Sequence, residues 1–346
     1  MGGFCEYFKN RLKENRFPLI LTALLAFILT LALSGGIEPE TVLVYSQSGS
    51  THSNAFYKSM LISCLSAPSY ISLALAFFAP IKCFTCYKSK RDLDIRRAIP
   101  ISLREQGVAD YLIGLLYVTL PTMLAYIANI TCIVSKGYFS MLDLGWYAVH
   151  ICFTLIFGVL FYTMYCFVYS EANNIPDGCI FMVGWSIVFE WIYGQYGLAS
   201  FYETMMSPYG FTVEVSHRIS NMVEGRNERF TLFNNETPIA ITAFWVILGM
   251  AALVLLILRF NKKSYDSAGE VSDTLFGYNL LIPMFAVSVA LFGGYENTLA
   301  NPIEIVFSLI FAFVGYTLFR RGFKYKPIDY CVMGFIAILI PISLLK

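Results

Sequence analysis

The chain has 346 residues, 57% of them hydrophobic and only 14% charged, with 30 Phe, 23 Tyr, a mean hydropathy of +0.63 and a formal charge of +1. So apolar a composition, gathered into runs of about 18 to 25 residues, excludes an ordinary water-soluble domain. The balanced charge leaves no global attraction toward nucleic acid, and none is expected as a partner.

Lipid offers no hydrogen-bond partner to a backbone amide, and the runs are continuously apolar rather than alternating, so each is expected to be a helix. The predicted fold is therefore an all-α polytopic membrane protein with about nine transmembrane helices. In chain order, residues 1–16 carry Lys9, Arg11, Lys13 and Arg16 among Phe4, Tyr7, Phe8 and Leu12, which suits an interfacial amphipathic helix on the cytoplasmic face. The first run, 17–33, is too long for the apolar part of a cleaved signal peptide and is expected to be a retained span. Further runs lie at 59–81, 111–134, 145–169, 178–199, 239–259, 278–295, 302–319 and 328–345.

The loops alternate in charge. Segment 82–110 holds seven Lys and Arg, Arg259, Lys262 and Lys263 follow the sixth run, and Arg320, Arg321, Lys324 and Lys326 follow the eighth. The loops near 37–57, 135–144 and 296–301 hold almost none, so the positive-inside rule puts the N-terminus in the cytoplasm. The expected division is 1–16, a core of six helices over 17–260, and a C-terminal part over 261–346. A 198–238 segment is expected outside, where Phe201, Tyr202, Tyr209 and Phe211 suit the membrane surface. The nine cysteines are scattered through apolar runs and do not suggest a disulfide framework.

The basic stretch Tyr87 to Gln106 stands out. Ile95, Ala98 and Ile99 recur at helical spacing with Arg96 and Arg97 between them, and Pro100 must stop the helix. Ser102 and Glu105 then form the spacing of a capping box at the start of a new helix. Charge alone is accounted for by the positive-inside rule. A short amphipathic helix between a proline break and a capped helix, however, also suits docking into a groove of another protein.

The stretch Y-K-S-K-R-x-L-D followed by I-P-I-S-x-R-E-Q and a long apolar span resembles the loop between the second and third spans of type-2 ABC permeases. The likeness is to bacterial exporters whose ATPase is a separate chain. Asn261 to Glu270, N-K-K-S-Y-D-S-A-G-E, and R-R-G-F-K-Y-K from Arg320 resemble the family's basic cytoplasmic segments. The resemblance implies a coupling helix comprising Arg91, Asp92, Leu93, Asp94, Ile95, Arg96, Arg97, Ile99 and Pro100. It further implies a partner cytoplasmic ATPase holding the ATP and magnesium, a second permease, identical or related, and residence in the bacterial plasma membrane. The cargo it suggests is an amphipathic peptide, an antimicrobial compound or a lipid-like molecule.

The chain carries no G-x-x-x-x-G-K-[ST] loop and no H-E-x-x-H or G-x-S-x-G motif, so it is not expected to be an enzyme or to hold a cofactor itself. Glu190 sits deep in the fifth run, where a carboxylate needs water, a cavity or a partner, and is a candidate for the substrate path or gate. His150, at the start of the fourth run, reads as a packed or interfacial histidine. The alternative function is an ion-coupled transporter or channel that needs no ATPase, against which the near isolation of Glu190 counts.

Overall fold

The structure, a computed structural model, describes residues 2–35, 51–137, 139, 142–194, 207–223, 236–262, 268–270, 272–292 and 302–344. Helix makes up 89% of it, and no strand occurs among the described residues. The helices are α1 (Gly2–Gly35), α2 (Thr51–Phe84), α3 (Lys90–Arg97), α4 (Leu103–Ser135), α5 (Leu144–Glu171), α6 (Ile175–Gly194), α7 (Pro208–Val223), α8 (Glu236–Lys262), α9 (Leu280–Phe292), α10 (Pro302–Phe319) and α11 (Pro327–Leu344).

Among the described residues six stretches are long and apolar enough to cross a bilayer: Gly3–Ser34, Ser66–Lys88, Leu103–Ser135, Leu144–Glu171, Ala240–Arg259 and Pro302–Phe319. The chain is a multi-pass membrane protein. Three of the nine expected spans form shorter apolar helices, Ile175–Phe189, Leu275–Leu291 and Pro327–Ser343, which fall below the usual spanning length. Segment 2–16 is not a separate helix either, because α1 runs unbroken from Gly2 through Pro18 to Gly35.

The chain folds into two compact units that cut across the expected division at residue 260. The first contains α1, α2 to Cys83, α4, α5 to Cys166, α7 from Phe211, and α8. Within it α1 and α4 run parallel, as Arg11 meets Asp110, Asn15 meets Tyr117 and Ser34 meets Asn129 in the same order. Likewise α2 runs parallel to α5, with Ser69 at Thr154 and Phe77 at Tyr165. The contacts of Tyr111 with Thr163 and of Tyr126 with His150 make α4 and α5 antiparallel. Ala26, Ile71 and Ala125 form a core of small and branched side chains between α1, α2 and α4, which suits close backbone approach in lipid. On the far face Phe211 of α7 is buried against Phe153, Phe157, Phe161 and Trp245. It is thus a core residue rather than the membrane-surface aromatic expected, while Tyr209 is exposed.

The second unit contains α3 to Arg96, the last turn of α5, α6, and α9 to α11. Helices α6 and α9 are parallel through Asp177 with Tyr278 and Gly184 with Leu281. Helices α9 and α10 are antiparallel, with Phe285 on Phe311 and Ser308 donating to the Ala286 carbonyl. Ile282, Ala286, Ile305, Ala312, Tyr316 and Ile336 are among the residues filling the core between α9, α10 and α11. The pairing of α6 with α9 explains why the fifth expected span does not group with the first four.

Candidate functional site

The sequence places α3 between two local signals. Ser89, extended at φ −113° and ψ 127°, precedes the helix, and its carbonyl accepts from the Leu93 amide at 3.1 Å. The helix ends at Arg97, two residues earlier than the apolar pattern indicated, because the residue before a proline is driven out of helical geometry. After the bend at Ala98–Ile101 the expected capping box forms in full. The Glu105 amide donates to Ser102 Oγ at 3.3 Å, and the Ser102 amide donates to Glu105 Oε2 at 3.1 Å.

The buried side of α3 is not the stripe of Ile95, Ala98 and Ile99. Leu93 and Arg96 are buried, one helical turn apart, while Ile95 is 60% exposed together with Arg91, Asp94, Arg97 and Pro100. Asp92 and Ile99 are half-buried. Arg96 is turned inward because Tyr87 offers it both a hydrogen bond, Nη1 to Oη at 2.8 Å, and a ring face 4.5 Å from the guanidinium carbon. The outward face therefore combines one large apolar side chain with charges of both signs.

The helix is fixed from below by a lysine the sequence did not single out. Lys88, only 5% exposed, donates from Nζ to the carbonyl oxygens of Tyr169, at 2.6 Å, and Ala172, and lies 4.7 Å from the Tyr169 ring centroid. A cation at this position meets the negative end of the α5 dipole. In sequence Lys88 is one of several loop cations, and only the fold brings the end of α5 to it.

The same end of the second unit carries a chain of polar contacts. Asn174 Oδ1 accepts from the Asp177 amide, and Asp177 accepts from the Ser272 amide (3.0 Å), Ser272 Oγ (2.7 Å) and Tyr278 Oη (2.8 Å). Gly269 donates to the Asn173 carbonyl, and its φ of +83° is one that glycine adopts without steric cost. Further along, Arg320 pairs with Asp329 at 3.2 Å and donates to Asn279 Oδ1. Segments 85–88, 169–177, 269–279 and 320–329 are thus tied together. Glu190 lies on α6, and its side chain is outside the described residues.

Beside this polar end an apolar groove of about 760 Å³ runs between α6, α9 and α10, lined by Ile180, Gly184, Phe285, Phe311 and Leu318, with Asp177 and Tyr278 also in its wall.

In the first unit the structure builds a second polar site that the sequence reading set aside. His150 is fully buried, with Nδ1 at 2.8 Å from Tyr126 Oη and Nε2 at 2.7 Å from Ser216 Oγ. Tyr126 Oη is 2.7 Å from Thr154 Oγ1, which is 2.9 Å from Ser69 Oγ, and Ser216 reaches Ser69 at 3.2 Å. Beside it Tyr147 Oη donates to Asn129 Oδ1. The only sequence signal is the spacing of His150 and Thr154, which share one face of α5; Ser69, Tyr126 and Ser216 lie on three other helices.

Comparison with protein-family models, with curated proteins and with solved structures finds no match to this chain.

Proposed function

We propose that the chain is the permease subunit of an ATP-driven exporter of the type-2 ABC class. In this reading it pairs with a second permease and with cytoplasmic ATPases, and spans the plasma membrane nine times with its N-terminus inside. The observation that carries the reading is the form of α3. It is a short helix clamped by Lys88 and by Arg96 on Tyr87, with Ile95 and a set of charges turned outward and a proline break before a capped long helix. An exposed isoleucine among charges is suited to a shallow groove on another protein, whereas a loop serving only the positive-inside rule needs no such clamp.

The span count draws support from the polar contacts of the second unit. Segments 169–177 and 269–279 are joined by hydrogen bonds, so the chain between them must cross the bilayer an even number of times. Ala240–Arg259 is long enough to cross, and α6 supplies the matching return. On the same reading α9 crosses to balance α10, which the bond between Asn279 and Arg320 supports. Short helices cross where the bilayer thins locally or polar ends reach into the headgroups.

A motor gripping the outward face of α3 would displace Lys88 with it, and through Lys88 the last turn of α5 and the turn into α6. This route adds to the one through Pro100 into α4. The groove between α6, α9 and α10 matches an apolar chain, which favours cargo with an acyl or similarly apolar part. Purification of the tagged full chain from its native membranes should bring magnesium-dependent ATP hydrolysis with it, and Ile95→Glu with Arg97→Glu should remove that activity while the permease still inserts. Wild-type preparations without ATP hydrolysis would overturn the reading.

The ion-coupled alternative draws support from His150, because a buried ionisable residue within a span is a functional-site candidate by default. Transport driven by a proton gradient in vesicles lacking ATP would favour it.

A further inference from the structure

The buried site around His150 can be counted hydrogen by hydrogen. Ser69, Tyr126, Thr154 and Ser216 each bring one hydroxyl hydrogen, and a neutral imidazole brings one N–H. The five groups close a ring, Ser69–Thr154–Tyr126–His150–Ser216–Ser69, with five links of 2.9, 2.7, 2.8, 2.7 and 3.2 Å. Five hydrogens fill five links, so the neutral ring is closed and fully satisfied, in either direction according to the tautomer.

A sixth hydrogen also has a place. If both ring nitrogens of His150 donate, to Tyr126 and to Ser216, then Ser216 donates to Ser69, Ser69 to Thr154 and Thr154 to Tyr126. Tyr126 can then turn its own hydrogen onto the His150 carbonyl, 3.3 Å away. Both protonation states therefore leave no polar hydrogen without an acceptor. A ring serving packing alone has no use for that outlet, because apolar side chains of similar size at the five positions would fill the same space without the cost of burying hydroxyls and an imidazole.

We propose that the His150 ring is a proton-binding site within the membrane, and that uptake of one proton loosens α7 from α2 and α5 at this ring. The groups that face the imidazole set the sign. From α2 and α7 it meets the hydroxyls of Ser69 and Ser216, from α4 the phenol of Tyr126, and on its own helix Thr154 and the nearby Tyr147. On α7 the nearby charges, Glu214 and Arg218, pair with each other at 2.7 Å. With no carboxylate among these facing groups of the described residues, an imidazolium here is a buried charge that they do not compensate. The protonated site is therefore relieved by letting water in, and of the four helices that close the ring α7 is the shortest, holding it by one hydrogen bond to His150 and one to Ser69 while Phe211 keeps its aromatic packing. This inference does not rest on the proposed ATPase partner and stands or falls separately from it.

The test is hydrogen–deuterium exchange of the purified full chain in nanodiscs from about pH 8 to about pH 4, a range that reaches below the one where an exposed histidine changes charge, corrected for the intrinsic pH dependence of exchange. The expected result is loss of protection in α7 peptides as pH falls, with α1 peptides unchanged. His150→Gln, which hydrogen-bonds without titrating, should abolish that dependence. Tyr126→Phe removes the acceptor for the added proton and should move the transition to lower pH, whereas a purely structural ring would lower protection at every pH without moving it. A flat profile in the wild type, or a His150→Gln profile that matches it, would overturn the proposal.

Discussion

Replacing Lys88 by methionine tests the clamp beneath α3 directly. The side chain keeps its length, so packing is little changed, but the ammonium that donates to the carbonyls of Tyr169 and Ala172 is lost. Hydrogen bonds to a charged group contribute about 1.5–3 kcal/mol each, and the charge at the end of α5 adds up to about 2 kcal/mol through the helix dipole. Against this stands the desolvation of a lysine that is 5% exposed, several kcal/mol that the variant recovers. The net loss expected is about 2 kcal/mol. Thermal unfolding in detergent should show a fall of several degrees, at about 2–4 °C per kcal/mol for a domain of 150–250 residues. Arg91→Met on the exposed side of the same helix should stay within about 0.5 kcal/mol of the wild type. If Lys88→Met melts with the wild type, the lysine is only a solvated loop charge and the argument that α3 is mechanically tied to α5 fails.

Asp177→Ala removes the acceptor for Ser272 and Tyr278 and should cost roughly 3–5 kcal/mol, the range for breaking a buried charged network, read as a large drop in melting temperature. Ser102→Ala should cost about 1 kcal/mol, the usual value of an N-cap, with Ser102→Asp restoring most of it in the same assay. Gly114→Ala would drive a methyl group into the hydroxyl of the fully buried Tyr162, and a loss of about 1–3 kcal/mol is expected; an unchanged melting curve would mean that α4 and α5 are not so closely packed. Arg96→Glu should destabilise the α3 region by removing the Tyr87 contact, whereas Arg91→Glu on the exposed side should leave stability nearly unchanged, a difference that limited proteolysis near residue 97 can read.

The sequence by itself determined that the chain is helical and lies in a membrane, because the period and length of apolar runs follow from lipid having no hydrogen bonds to offer. It also determined local features that need only neighbouring residues, such as the stop before Pro100 and the Ser102–Glu105 box. Tertiary structure decided the rest. Leu93 and Arg96 rather than Ile95 and Ile99 face inward because Tyr87 lies under one side of α3, and Lys88 became a helix cap because the end of α5 arrives beside it, 81 residues later in the chain. The His150 ring was invisible for the same reason: its hydroxyls come from four helices, and a hydrogen bond between distant segments leaves no periodic trace in either.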